Sequence, residues 1–344
     1  MTTNTARQTR ASSAQDLADR PPTPAQRVHA VLHRKPALSP AIVLLLAAIA
    51  FGLLNSRFYH LENLSLVAQQ VAVVGSLAAG QTVVILTAGI DLSIGAVMVL
   101  SSLVMSKLVA DQGVPGVLAL FIGAVVAVGS QAVNGLLVTR IKLPPFIVTL
   151  GTLSIFTAIT LIYAKGQTVS LNPDAFLLWS ATSVSIGSLH LTTGVLMMVV
   201  LYGVIGFALR YTAWGRHLYA VGDDAEAARL AGISVNRVLL SAYLVAGLAI
   251  AVAAWILAGR VGGGDPNAGL NANLESITAV VIGGTSLFGG RGVVVGSLIG
   301  AFIVQVFDNG LALAGFDPNY QVLAVGILVI AAVSVDQWIR SVKA

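Results

Sequence analysis

The sequence predicts an all-α polytopic membrane protein with about ten transmembrane helices (eight to ten), and three observations predict it. Apolar residues make up 56% of the 344-residue chain and charged residues only 10%, whereas a soluble domain carries roughly a quarter charged residues. Apolar runs recur that are long enough to cross the hydrocarbon of a bilayer, which takes about 20 residues. The Lys and Arg residues between these runs fall mainly on one side of the predicted membrane.

Ten apolar runs are the candidate spans. They cover residues 38–55, 64–88, 92–110, 114–138, 146–164, 190–209, 238–258, 276–288, 293–313 and 320–336. The eighth run is short and rich in Gly, so we expect a re-entrant or broken helix there. Residues 165–189 contain Pro173 and many Ser, Thr and Asn residues. They predict the longest non-cytoplasmic loop, with a short surface helix or a strand pair in it.

The basic residues predict the orientation of the chain. With a cytoplasmic N-terminus and ten crossings, 15 of the 19 Lys and Arg residues lie on the cytoplasmic side and four on the other side. Cytoplasmic loops of membrane proteins are enriched in these residues, so both termini are predicted to be cytoplasmic. Topology therefore accounts for the formal net charge of +5, and no nucleic-acid partner is expected.

Residues 1–37 form a polar segment that precedes the predicted transmembrane domain, residues 38–338. The segment holds six of the basic residues, together with Ser, Thr and Pro. It does not resemble a cleaved signal, because no small-residue cleavage site follows the first apolar run. We expect a disordered cytoplasmic tail. The alternative for residues 24–35 is a short basic amphipathic helix on the membrane surface.

The sequence contains no motif for catalysis or for a bound cofactor. It has no Cys, which excludes disulfides, thiolate metal sites, iron–sulfur clusters and a Cys nucleophile. It also lacks the HExxH, GxSxG, dinucleotide-binding and P-loop motifs. Acidic residues are scarce within the spans, so neither a proton relay nor a cation site is predicted. The chain is therefore expected to pass a solute rather than to act as an enzyme.

A polar, Ala-rich segment interrupts the apolar pattern in the predicted cytoplasmic loop 210–237. Its sequence, VGDDAEAARLAGISVNRV, predicts a helix over residues 224–231. Asp223 is the expected N-cap, Glu226 completes a variant of the capping box, and Gly232 is the expected stop. A helix of this length, about 12 Å, is marginal alone in water. It must pack either on its own bundle or on a partner, and its small Ala side chains favour a partner.

Polar side chains within the spans are candidates for a translocation path, because lipid does not tolerate unpaired polar groups. Hydrogen bonding between helices is the alternative for each of them. Asp91 is expected to N-cap the third span where Gly89 ends the second, and direct contact with solute is the other reading. The candidates are Gln70, Gln81, Asp91, Ser93, Asn134, Gln305, Asp308 and Asn309.

Residues 280–300 carry seven Gly residues in 21 positions. Glycine-rich loops bind phosphate in some proteins, but small residues also let helices touch and turn tightly. We expect the packing role here, with Arg291 at the cytoplasmic interface.

Five ordered sequence blocks resemble the permease family of bacterial ABC importers for monosaccharides, the ribose, xylose, arabinose and fructose type. The resemblance covers about residues 60–336. Two departures stand out: Ala88–Gly89 replaces the usual Gly-Gly, and NANLESI replaces a frequent aromatic-Glu-Leu. The blocks are GQTVVILTAGIDLSIGAV, NGLLVTRIKLPPFIVTLGT, AVGDDAEAARLAGISVNRV, AVVIGGTSLFGGRGVVVGSLIGA and DNGLALAGFDPNYQ.

The resemblance implies an ABC importer permease-like fold in the bacterial inner membrane and a coupling helix that docks on a separate ATPase subunit. That subunit binds ATP and Mg²⁺, and this chain binds no cofactor. The resemblance also implies a periplasmic sugar-binding protein, a permease homodimer and surrounding lipid. A secondary transporter or facilitator for a small neutral polar solute is the second hypothesis, and a membrane enzyme is the third. The cassette residues are Gly222, Asp223, Glu226, Ala227, Ala228 and Gly232.

Overall fold

A computed structural model describes residues 38–187, 189–269 and 271–341. The tail predicted over residues 1–37, with its alternative amphipathic helix at 24–35, lies outside the described residues, as does Lys343. The described part of the chain is mostly helical.

Twelve α-helices occur in the described residues, and ten of them overlap the ten predicted spans. The two others, α7 and α8, lie in the predicted loop 210–237. A π-helical turn, Leu137–Ile141, continues α4. The helices are α1 (Leu38–Leu54), α2 (Leu61–Leu86), α3 (Ile94–Gln112), α4 (Gly116–Leu136), α5 (Pro145–Ala164), α6 (Thr193–Tyr211), α7 (Ala213–Asp223), α8 (Ala225–Leu230), α9 (Val235–Val261), α10 (Ala272–Ile282), α11 (Val294–Leu313) and α12 (Pro318–Ser341).

Seven helices of the described part are long and apolar enough to cross a membrane: α2 to α6, α9 and α11. Helix α1 has 17 residues and α10 has 11. Eleven residues rise about 16 Å, roughly half the thickness of the hydrocarbon. Helix α10, the predicted eighth span, therefore does not cross alone, which is the expectation for a re-entrant or broken helix. A polytopic architecture is confirmed, and ten crossings stay a prediction.

Helix α2 is the centre of the bundle. Helices α6, α9, α10 and α11 pack around it, and every residue from Val71 to Leu86 is buried. Large apolar side chains stay exposed on the peripheral helices, for example Leu45 of α1, Phe121 of α4 and Val200 of α6. An exposed apolar surface of this kind is unfavourable in water and suits a protein surrounded by lipid.

The bundle has two distinct ends. At the α7–α8 end, the last residue of α2, Leu86, lies against Gly222 of α7. At the other end, which we call the hairpin end, β2 (Ser183–Ile186) pairs antiparallel with β3 (Leu189–Thr192). The backbone N–H of His190 donates to Ser65 Oγ in the first turns of α2, so this hairpin sits at the opposite end of that helix.

The loop predicted over residues 165–189 carries both of the features expected for it. A 3-10 helix spans Phe176–Ala181, and the β2–β3 hairpin follows it. Strand β1 (Val169–Ser170) pairs antiparallel with β4 (Gly263–Gly264) and ties this loop to the segment after α9.

The glycines of residues 280–300 bring α10 and α11 into direct backbone contact. A Cβ atom on Gly300 would lie 1.8 Å from the carbonyl oxygen of Ala279, and one on Gly296 would lie 2.1 Å from that of Gly283. Only Gly permits such an approach, and the predicted packing role is confirmed.

Candidate functional sites

The segment between α6 and α9 consists of two short helices rather than one. The sequence analysis does not predict α7. Its N-cap is Thr212, because Thr212 Oγ1 accepts a hydrogen bond from the Gly215 N–H at 3.2 Å. Helix α8 has six residues, two fewer than the predicted helix over 224–231. Gly232 adopts a left-handed φ of 84° directly after the C-cap, so the predicted stop is confirmed.

The predicted N-cap of α8 is wrong by one residue. Asp224 Oδ1 accepts hydrogen bonds from the N–H groups of Glu226 and Ala227, both at 2.9 Å. Asp223 is the last residue of α7, so Asp224 is the first residue free to adopt the extended backbone that an N-cap needs. The capping box is also wrong, because Glu226 forms an ion pair with Arg229 on the next turn.

The predicted coupling residues divide between an exposed and a buried face. Ala228 is buried against the bundle and Gly222 is buried at the end of α7. Glu226, Ala227 and Gly232 are exposed, as is Asp223. Leu230, on the exposed face of α8, has 82% of its surface accessible. An exposed Leu among small and charged side chains makes this face available to a partner.

Gly222 joins the α7–α8 segment to the transmembrane bundle. A Cβ atom at this position would lie 1.8 Å from Leu86 O and 2.7 Å from Gly290 N. The Gly290 N–H in turn donates to Leu86 O at 3.0 Å. Tyr219 Oη, one turn earlier on α7, donates to the Gly292 carbonyl at 2.8 Å. A displacement of α7 therefore acts on both the end of α2 and the glycine-rich loop.

The break between α2 and α3 lies next to this junction. Helix α2 ends at Leu86, and Ala88 takes a left-handed φ of 60°. The prediction that Gly89 ends the helix is therefore wrong by about two residues. Ser93 occupies the N-cap position of α3, so the prediction that Asp91 fills that position is also wrong.

Asp91 instead organises a buried hydrogen-bond network. Its Oδ1 accepts from the Ser93 N–H at 2.8 Å and from Ser93 Oγ at 2.7 Å. Its Oδ2 accepts from Gln131 Nε2 at 2.6 Å. The network connects the start of α3 to α4, and the carboxylate of Asp91 is completely buried.

Three other path candidates belong to the same network. Asn134 Nδ2 donates to Ser93 Oγ at 2.8 Å. With its amide oriented to satisfy both groups, Gln81 bonds the backbone N–H and C=O of Asp91 at 3.2 Å each. Gln81, Asp91, Ser93 and Asn134 are all fully buried, so in this conformation they bond one another rather than line an open space.

A cavity of about 190 Å³ lies towards the hairpin end of the bundle. It collects side chains from five helices, α2, α3, α9, α10 and α11. Three of the path candidates line it: Gln70, Gln305 and Asp308. The full lining is Gln70, Val73, Val74, Met98, Leu257, Arg260, Gly269, Ala272, Glu275, Gln305 and Asp308.

Arg260 and Glu275 are the cavity residues that the sequence analysis misses. It includes Arg260 only in the count of four basic residues on the non-cytoplasmic side, and Glu275 only within the departure NANLESI. In the structure Gln305 Nε2 donates to Glu275 Oε2 at 3.1 Å. Gln305 and Asp308 share a helix face because they are three residues apart. Nothing comparable in the sequence places Arg260 beside Glu275, since they belong to different segments.

The last candidate, Asn309, makes a separate contact. Asn309 and Asn63 exchange two side-chain hydrogen bonds of 2.9 Å each. The pair joins α11 to α2 near the hairpin end and does not line the cavity.

Comparisons with known proteins agree with this architecture. The fructose import permease protein FrcC of Rhizobium meliloti is 49% identical over 93% of this chain and 90% of the relative. The ribose import permease protein RbsC of Bacillus subtilis is 38% identical over 87% and 92%. The D-allose transport system permease protein AlsC of Escherichia coli is 33% identical over 87% and 90%. No solved structure was found to match the chain.

The relatives are transport components rather than enzymes, and with seven apolar helices in its described part the chain is a multi-pass protein of the bacterial inner membrane. Residues 63–333 match a family model described as branched-chain amino acid transport system / permease component. This chain therefore belongs to that permease family, as its sequence blocks indicate.

Proposed function

We propose that this chain is the transmembrane permease subunit of an ATP-driven ABC importer for a monosaccharide, a pentose or a hexose. The observation that carries the proposal is the 49% identity to a fructose import permease over 93% of the chain. The family description names branched-chain amino acids. The relatives, however, are named for fructose, ribose and allose, so a neutral sugar is the better-supported cargo.

The coupling element is α8 with the end of α7. A helix as short as α8 is marginal in isolation, and here the Asp224 cap and the buried Ala228 support it. Its other face, with Glu226, Ala227 and Leu230, is exposed and is proposed to dock on the ATPase. Because Gly222 lies directly on the end of α2, movement of the docked segment passes to the centre of the bundle.

The remaining parts of the importer follow from this role. The nucleotide-binding domains, which bind ATP and Mg²⁺, belong to the ATPase subunit, because this sequence has no P-loop motif. A periplasmic sugar-binding protein delivers the sugar at the hairpin end. Each chain offers one α8, so two copies pair to engage two nucleotide-binding domains. Ten crossings with both termini in the cytoplasm, and lipid around the peripheral helices, complete the arrangement.

A secondary transporter or facilitator remains the second candidate from the sequence. It predicts uptake by this chain alone, whereas an ABC permease transports only with its ATPase. Proteoliposomes with and without the ATPase distinguish the two, and labelled leucine beside the labelled sugars distinguishes a sugar importer from an amino-acid importer.

The substitution Glu226→Arg tests the coupling role. The Glu226 side chain is 64% exposed in its pair with Arg229, and an exposed pair contributes at most about 1 kcal/mol. The variant should therefore fold normally. Reversing a charge in a docking surface should reduce ATP-driven sugar uptake about tenfold or more.

The matched control for Glu226→Arg is Asp111→Arg. Asp111 is also an exposed acid in an intrahelical pair, with Lys107, but it lies at the hairpin end. Uptake and ATP hydrolysis are measured in proteoliposomes that contain the permease, the ATPase and the binding protein. Normal uptake by Glu226→Arg would contradict docking on α8.

A further inference from the structure

The cavity towards the hairpin end has a polar rim and an apolar floor. Arg260 and Gly269 are exposed and form its mouth. Met98 and Leu257 are buried and form part of its floor. A depression that combines a few converging polar groups with an apolar wall is the usual form of a small-molecule site.

Three charged side chains from three helices converge on this cavity and interact electrostatically across it. Arg260, Glu275 and Asp308 all line it. Within the described ranges Arg260 forms no ion pair with either carboxylate. Glu275 and Asp308 are half-buried, and a charge partly removed from water is costly unless it is paired or hydrogen-bonded, so a ligand that donates hydrogen bonds to the two carboxylates would be bound favourably.

Gln70 adds a polar atom that has no protein partner. Its Oε1 atom is shielded from solvent and has no hydrogen-bond partner among the described residues, although the residue lines the cavity. A buried acceptor left without a donor costs about 1–3 kcal/mol. A ligand hydroxyl would satisfy it once the Gln70 side chain turns this atom towards the cavity.

We propose that this cavity is a binding site of the permease itself for one neutral sugar ring. Its volume of about 190 Å³ is somewhat larger than the roughly 150 Å³ of an engineered protein cavity that holds one benzene ring. Hydroxyl groups both donate and accept, so they pair with the carboxylates of Glu275 and Asp308 and with the guanidinium of Arg260. The apolar floor at Met98 and Leu257 suits the carbon face of the ring.

The charges of the site also predict what it rejects. Two acids and one base give a formal excess of one negative charge among the lining residues. Like charges repel, so the site should disfavour sugar phosphates and sugar acids relative to the neutral sugar. The inference rests on the proposed function, because it locates the cargo of that same importer.

Labelling of an engineered thiol tests the inference directly. The chain has no Cys, so Val74→Cys places a single thiol in the cavity wall and leaves the five polar lining residues unchanged. A small methanethiosulfonate reagent is applied to the complete importer in proteoliposomes, with and without the transported sugar. Sugar at ten times its Kd should slow the labelling of this thiol about tenfold.

The control thiol is Gln112→Cys, at an exposed position of the same end outside the cavity. Its labelling should not respond to sugar. In the Val74→Cys background, Glu275→Gln should raise the sugar concentration needed for protection about tenfold, because it replaces a charge-assisted hydrogen bond with a neutral one.

Sugar uptake by isosteric variants tests the same site without the engineered thiol. Glu275→Gln and Asp308→Asn should raise the sugar concentration for half-maximal uptake, whereas Asp111→Asn, outside the cavity, should not. Unprotected labelling together with wild-type uptake in both cavity variants would overturn the inference while the importer still transports sugar. Failure of the proposed function looks different, since the wild-type importer would then transport no monosaccharide.

Discussion

Ala88 holds a backbone conformation that L-residues other than Asn and Asp rarely adopt. Its φ of 60° lies in the left-handed region, which costs about 1–2 kcal/mol for a residue with a Cβ atom. The turn that needs this conformation joins α2 to α3 beside the buried Asp91. The permease family that the sequence resembles usually has Gly-Gly where this chain has Ala88–Gly89, and the φ value gives the physical reason for that preference.

We therefore expect Ala88→Gly to stabilise the protein by about 1 kcal/mol, since Gly adopts this φ without steric cost. The apparent melting temperature of the purified permease in detergent is the measurement. Ala158→Gly, at an exposed position in the regular helix α5, is the control and should lower that temperature. Equal destabilisation by both substitutions would contradict the assignment of strain to Ala88.

At the residue scale, the sequence predicts which kinds of cap and polar contact occur, but it does not always predict the residue that makes them. The sequence analysis places an acidic cap at the start of α8 and a Gly stop at its end, and both occur. The cap is Asp224 rather than Asp223 because Asp223 is the last residue of α7, a helix that the sequence analysis does not predict. Asp91 is correctly predicted to need polar partners, but its partner Gln131 lies 40 residues away and is not named.

At the scale of elements, the contact between α7 and α2 is the point at which a movement of α7 would displace the transmembrane bundle. Gly222 leaves no space between the two backbones. The substitution Gly222→Ala would bring a Cβ atom to 1.8 Å from Leu86 O, so one of the two elements must move.

We expect Gly222→Ala to lower the apparent melting temperature, because overpacking costs about 1–3 kcal/mol, and to reduce ATP-driven uptake relative to ATP hydrolysis. Gly203→Ala in α6 is the control, since a Cβ atom there meets open space. Both properties are measured on the same reconstituted importer. Identical behaviour of the two variants would show that the junction does not transmit movement.

Elements were predictable where hydrophobicity alone specifies them. Each of the ten predicted spans overlaps a helix of the described residues, because a long apolar run has few other stable states in lipid. Helix α7 is missed because it is short and amphipathic and so contains no long apolar run. Helix α10 ends at Ile282 because Gly residues follow it, which matches the expectation for the eighth run.

At the scale of the whole molecule, α2 connects the two candidate sites. It carries Gln70 in the cavity and Leu86 at the α7 junction, 16 residues or about 24 Å apart along one rigid helix. The cavity itself is assembled from helices distant in sequence, so the proximity of Arg260 to Glu275 could not be inferred from the chain alone. A displacement of α7 would therefore be transmitted along α2 to the proposed sugar site.

The most direct test of this account is the accessibility of a thiol at Leu230→Cys, on the exposed face of α8. Inside-out and right-side-out vesicles are treated with a membrane-impermeant maleimide, with and without the ATPase subunit, and Gln112→Cys reports the opposite side. The account predicts labelling of position 230 only from the cytoplasmic side and its protection when the ATPase is bound. Labelling from the periplasmic side, or equal labelling with and without the ATPase, would contradict it.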